Sequence, residues 1–163
     1  MMKLCYDVIA ALQGRTLVTA ESCTGGGIGA ALTGVPGASA VYKGGIISYT
    51  NEVKNTLLNV DIDLLEKEGA VSAAVAESMA IGARNRLNAD IAVSVTGLAG
   101  PGVDEYGNPV GTVYIGYADS FTTCTRKYVF SGSRTTIRES AVHTALETIL
   151  SYAVIKNKKS PDE

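Results

Sequence analysis

Leu4, Val8, Ile9 and Leu12 recur at helical spacing near the start of the chain, and Gly14 closes the stripe, so a helix is predicted there. Residues 15–19 follow as a short apolar strand. Residues 25–32 are small and apolar at roughly helical period, which predicts a second helix opening at Gly25. Gly34-Val35-Pro36-Gly37 is a turn, and residues 45–49 read as a second strand. Residues 51–58 form a helix capped by Thr50 or Asn51, with Val53, Leu57 and Leu58 inward. Asp61 or Asp63 opens a short helix that ends at Gly69. Ser72 caps a longer one reaching about Leu87, whose Val75, Met79, Ala80, Ala83 and Leu87 face the core. Its alanines imply close packing on a sheet. Residues 91–96 are a third strand, and residues 110–118 and 122–130 form an antiparallel hairpin turning at Asp119-Ser120. Ile137, Ala141, Val142, Ala145, Leu146, Ile149 and Ala153 line a final helix.

Strands separated by helices and then a hairpin define an α/β fold: a mixed, mainly parallel sheet with helices on both faces and a C-terminal hairpin and helix. Residues 1–157 are expected to form one domain with one core, and residues 158–163 a charged flexible tail. In such sheets a ligand binds beyond the strand ends. Three glycine-containing segments are expected to converge there: residues 22–27, Gly44-Gly45 and residues 97–102.

Composition narrows the chemistry. A formal charge of −2 and a pI near 5.4 argue against a nucleic-acid surface, and the basic run Lys156-Asn157-Lys158-Lys159 reads as a solvated helix end. Cys5, Cys23 and Cys124 are odd in number and widely spaced, so neither a disulfide framework nor a zinc site is expected. No secretory leader or membrane-spanning run is recognisable, and a cytoplasmic protein without a membrane partner is expected. The single histidine, His143, lies opposite the apolar stripe of the last helix between Glu139 and Glu147, a surface position. Histidine-based triads and His-rich metal sites are therefore disfavoured.

Chemistry concentrates in Thr19-Ala20-Glu21-Ser22-Cys23-Thr24-Gly25-Gly26-Gly27, where a strand turns into a helix. The N–H groups of Cys23, Thr24, Gly25 and Gly26 are expected to lie unpaired at that helix N-terminus and to favour a phosphate, a carboxylate or an oxyanion. Ser22 beside such donors suits acyl transfer; the plainer alternative is a Ser/Thr cap on a Gly-rich turn. Gly25-x-Gly27-x-x-Ala30 also matches a loose dinucleotide fingerprint, with Glu52 near the place of a ribose-binding acid. That match is weak, because Glu21 to Thr24 crowd the turn and Glu52 falls inside a helix. With no histidine available, a base for Ser22 must be a lysine of lowered pKa. Lys54 sits five residues beyond Tyr49, whose strand ends near the same sheet edge. Their plainer readings are an exposed helix lysine and an ordinary strand aromatic.

The segments TAESCTGGG, GGIISYTNEVK, GAVS, TGLAGPG, NPVGTVYIG and SGSRTTIRESA, in that order, resemble the C-terminal domain family of the competence and damage-inducible protein CinA. Its stand-alone members include nicotinamide-nucleotide amidases of the PncC type. The resemblance implies an α/β/α sandwich, a homodimer, no cofactor or metal, and hydrolysis of nicotinamide mononucleotide to nicotinate mononucleotide and ammonia. It also implies a Ser-Lys-Tyr site made of Ser22, Lys54 and Tyr49, with the Tyr49 hydroxyl bonded to Ser22, Lys54 or both. Thr96 and Arg134 are implied to hold the nucleotide. Gly97 and Ala99 beside Thr96, Thr24, Gly25 and Gly26 at the turn, and Arg138 one helical turn after Arg134 complete the expected pyridine-mononucleotide site. Cys23 is the rival nucleophile. The loop 103–108 departs from the family pattern, and the larger N-terminal domain of full-length members is not expected. The alternative to an amidase is a nucleotide-binding or adaptor domain that keeps the pocket without turnover.

Overall fold

The computed structural model describes the backbone of residues 1–157 and side chains as far as Ala153; the expected tail at 158–163 lies outside the described residues. In chain order the elements are α1 (Met2–Ala11), β1 (Leu17–Glu21), α2 (Gly27–Thr33), a 3-10 turn (Ala38–Ala40), β2 (Tyr42–Ile47), α3 (Asn51–Leu58), α4 (Ile62–Glu68), α5 (Ala73–Arg86), β3 (Ile91–Gly97), β4 (Thr112–Ala118), β5 (Thr123–Val129) and α6 (Arg134–Asn157). The strands form one five-stranded sheet in the order β2-β1-β3-β4-β5. β1 pairs parallel with β2 and β3, while β4 runs antiparallel to β3 and to β5. All strands but β4 therefore point one way.

The sheet divides the core in two, where one core was expected. Leu17, Val93, Val95, Ile115 and Tyr117 pack under α1, α2 and α6. Val18, Ala20 and Ala92 pack under α5, which α3 and α4 flank. The seven apolar residues expected along α6 are all buried. On α5 the buried alanines bring the helix so close that a Cβ at Gly116 of β4 would press on the Ala76 carbonyl, and one at Gly82 would overlap the Leu58 carbonyl of α3. Thr50, Asp61 and Ser72 cap α3, α4 and α5, each accepting an N–H near the helix start.

Four expectations are corrected. β1 runs two residues past Thr19 because Glu21 is buried, 1% exposed, and continues the ladder despite its charge. α2 opens at Gly27 rather than Gly25, since Gly25 and Gly26 take positive φ (60° and 95°) and belong to the turn. β2 starts earlier than expected, so Gly44 and Gly45 lie inside it. Gly45 lacks a side chain because Thr19 occupies that space. On α3, Leu57 is exposed and Lys54 shares the buried face with Leu58, one turn apart.

No helix among the described residues is long and apolar enough to cross a membrane. His143 is half-exposed, with Nδ1 3.6 Å from a Glu147 carboxylate oxygen.

Candidate active site

Because β1, β2 and β3 are parallel, their carboxyl ends open onto one sheet edge. The chain leaves that edge through Ser22-Cys23-Thr24 after β1, Ser48-Tyr49-Thr50 after β2 and the glycine-containing Leu98-Ala99-Gly100 after β3. Ser22 follows β1 directly. Its N–H still donates to the Val95 carbonyl of β3 at 2.9 Å, which fixes its backbone to the sheet. The Gly25 N–H donates back to the Ser22 carbonyl at 3.1 Å, closing a tight turn.

That turn differs from the expected anion site. The buried Glu21 carboxylate already caps α2, accepting from the Ile28 and Gly29 N–H groups at 3.0 and 2.9 Å and from the Thr19 hydroxyl at 3.2 Å. The first-turn donors of α2 are thus occupied by the chain itself, and Gly25 is bonded within the turn. Among the described residues that line the cavity, Cys23, Tyr49, Ala70, Val71, Ala99, Gly100 and Arg134 have N–H groups that donate to no backbone carbonyl outside the helices and strands.

Lys54 reaches the same point from α3. Its side chain is 1% exposed, and Nζ donates to Ser22 Oγ at 3.0 Å, to the Ser48 carbonyl at 2.7 Å and to the Tyr49 carbonyl at 3.3 Å. Burial drives the amine down to about 8, with Cys23 pulling weakly the other way. Once neutral, the amine keeps two N–H donors for the two carbonyls, and its lone pair is left for the Ser22 hydroxyl. Cys23 is in the opposite condition. Burial among apolar side chains pushes its thiol up to about 11, against the pull of its own backbone N–H and of the Lys54, Arg138 and Arg134 charges, so at neutral pH it is a protonated core residue.

Tyr49 lines the cavity but stands at its mouth, 59% exposed. Its carbonyl touches Lys54, whereas its hydroxyl accepts from Arg134 Nη2 at 3.1 Å. The expected bond from that hydroxyl to Ser22 or Lys54 is not formed. Arg134 Nη1 donates to the Gly100 carbonyl at 2.7 Å, so one exposed guanidinium bridges Tyr49 and the loop after β3. Thr96 is buried, and its hydroxyl donates to the Ala70 carbonyl at 2.7 Å, tying β3 to the segment between α4 and α5.

Ser22, Lys54, Tyr49, Thr96, Gly97 and Ala99 thus meet around a cavity of about 180 Å³, with Arg134 at its rim and Ala70 and Val71 as a further wall. Thr24, Gly25, Gly26 and Arg138 are not among its walls. Arg138 donates to the carbonyls of Cys23 and Thr24 at 3.0 and 3.1 Å, bracing the turn from behind. Sequence reasoning missed Glu21, Ser48, Ala70 and Val71; only the GAVS block signalled the last two.

Loop 103–108 braces the Val71 wall. Asp104 accepts from the Tyr106 and Asn108 N–H groups, Asn108 donates to the Val71 carbonyl at 3.1 Å, and the Tyr106 hydroxyl donates to the Glu66 carbonyl at 2.7 Å. Among the described residues no group of three or more His, Cys, Asp or Glu side chains could hold a metal ion.

The fold and sequence have counterparts in known proteins. A competence/damage-inducible protein from Agrobacterium tumefaciens is 39% identical, with a TM-score of 0.88 over 92% of this chain and 93% of that one. The competence damage-inducible protein A of Klebsiella pneumoniae is 36% identical, with a TM-score of 0.89 over 92% and 94%. A CinA-like protein of Thermosynechococcus vestitus is 54% identical over 121 residues, 74% of this chain and 29% of the relative. The CinA-like protein of a Geobacter species is 44% identical over 149 residues, 91% and 36%. The chain spans about a third of the length of these curated relatives. Residues 3–153 match the model of the CinA C-terminal domain, so the chain belongs to the CinA C-terminal domain family.

Proposed function

We propose that the chain is a cytoplasmic amidohydrolase that converts nicotinamide mononucleotide to nicotinate mononucleotide and ammonia. The observation that carries this reading is the buried Lys54 amine 3.0 Å from Ser22 Oγ. A serine is a weak nucleophile until a base removes its proton, and an amine near 8 is neutral often enough to do so. Neutral Lys54 takes the Ser22 proton as Oγ bonds to the carboxamide carbon. Unpaired N–H groups at the cavity rim hold the resulting oxyanion. The Lys54 ammonium then protonates the departing nitrogen, and ammonia leaves as the acyl-serine forms. Lys54, neutral again, deprotonates a water that attacks the ester carbon, and Ser22 departs with the proton restored. Tyr49 assists at the serine, and Arg134 receives the phosphate.

The cavity size is consistent with an aromatic carboxamide entering head first. At about 180 Å³ it falls below the ~300–1,000 Å³ of sites that enclose a whole drug-sized ligand. The ribose phosphate then extends to the mouth, where Arg134 lies.

An ammonia assay over pyridine mononucleotides, dinucleotides, ribosides and free nicotinamide tests this reading. Release from nicotinamide mononucleotide supports it. Saturable binding with no ammonia would favour a non-catalytic nucleotide-binding or adaptor domain.

A further inference from the structure

Two of the expected catalytic groups are assembled and the third is held apart. Ser22 and Lys54 are in contact, while the Tyr49 hydroxyl is tied to Arg134 at the mouth, although Tyr49 backbone is anchored beside Lys54 through its carbonyl. Only the Tyr49 side chain has to turn for its hydroxyl to leave the mouth. The tether is also the group best placed to meet an incoming anion, being an exposed guanidinium whose partners here are two neutral oxygens, the Tyr49 hydroxyl and the Gly100 carbonyl.

Resting on the amidase reading, we propose that the substrate's phosphate monoester triggers assembly of the site: it takes Arg134 from Tyr49, and the freed Tyr49 hydroxyl turns inward to the Ser22–Lys54 pair. A phosphate offers the guanidinium two parallel bonds between opposite charges, whereas each present partner is a neutral oxygen taking a single bond, so the exchange runs in that direction. The phenol is the weaker competitor of the two present partners, at 3.1 Å against 2.7 Å for the carbonyl. Binding energy from a remote part of the substrate is thereby converted into catalytic rate rather than affinity alone. Arg134 is then a specificity-determining residue with two opposed roles: in the free protein it restrains Tyr49, and with a phosphorylated substrate it releases it.

The two roles separate in kinetics. In the wild type, the saturating rate on nicotinamide riboside should fall below that on the mononucleotide, beyond any difference in KM. Arg134→Ala should lower kcat/KM for the mononucleotide. The same substitution removes the tether, so its kcat on the riboside should rise above the wild-type value, by about two- to tenfold, the factor corresponding to one net hydrogen bond. Arg134→Met keeps the aliphatic stem and should behave alike. An arginine that only binds phosphate would leave the riboside kcat unchanged. A riboside kcat in both variants equal to or below wild type, with the mononucleotide still hydrolysed by the wild type, overturns the tether and leaves the amidase reading intact. Absence of ammonia from the mononucleotide in the wild type overturns the amidase reading and the tether with it.

Discussion

A lysine near 8 is mostly protonated at neutral pH, so a reaction that uses Lys54 as base runs on its small neutral fraction. The amine is competent only when deprotonated, and burial places its transition well below that of a free lysine. The kcat/KM for the mononucleotide should therefore rise about tenfold per pH unit below 8 and level off above it. A flat profile between pH 6 and 9 would remove Lys54 from the role. Lys54→Arg keeps the charge but cannot release a proton in this range, and activity should fall at least about a hundredfold. These residues were partly legible in the sequence. Elimination of histidine pointed to a lysine and the spacing from Tyr49 drew attention to Lys54, but only the resemblance to the CinA C-terminal domain family raised it above an exposed helix lysine. What periodicity could not show was its burial, because an amine inside a protein carries no apolar signature. That same gap put Leu57 on the inner face in its place.

At the level of elements, the departures from expectation share a cause. The β1–α2 junction was read with a free helix N-terminus, and the structure fills that terminus with Glu21 from the preceding strand. A strand residue reaching back onto the helix it leads into is a tertiary contact, invisible to local pattern. Arg138 was likewise placed with Arg134 because both lie on one face of α6, yet it bonds the carbonyls of Cys23 and Thr24. The Glu21 cap predicts that Glu21→Gln leaves one α2 donor facing an amide NH₂ rather than an oxygen. Urea unfolding should show a loss of about 1–3 kcal/mol. An unchanged unfolding midpoint would mean that α2 does not depend on that carboxylate. The caps on α3, α4 and α5 were legible because they are local, each joining residues two or three positions apart.

For the whole molecule, the alternation of helices and strands followed by a hairpin was enough to read a mixed, mainly parallel sheet ending in an antiparallel pair, but not the strand order or that β4 is the reversed strand. Strand periodicity and turn residues are short-range signals that survive folding. The division of the core by the sheet, and the contact of α3 with α5, depend on how layers meet. Gly82 sits at that contact, where an added methyl has no room against the Leu58 carbonyl. Gly82→Ala should push away α3, which carries Lys54. Stability should drop by roughly 1–3 kcal/mol, and kcat should fall alongside it. Full activity in a destabilised Gly82→Ala would show that α3 can shift without disturbing the Ser22–Lys54 contact.

The central claim, that Ser22 activated by Lys54 carries the acyl group, is tested most directly by ammonia release from nicotinamide mononucleotide by the wild type, Ser22→Ala and Cys23→Ala side by side. The wild type should release one ammonia for each nicotinate mononucleotide formed. Ser22→Ala should remain folded and lose activity by about a thousandfold or more, and Cys23→Ala should stay within about threefold of wild type. Wild-type turnover in Ser22→Ala, or its loss in a folded Cys23→Ala alone, would contradict the account.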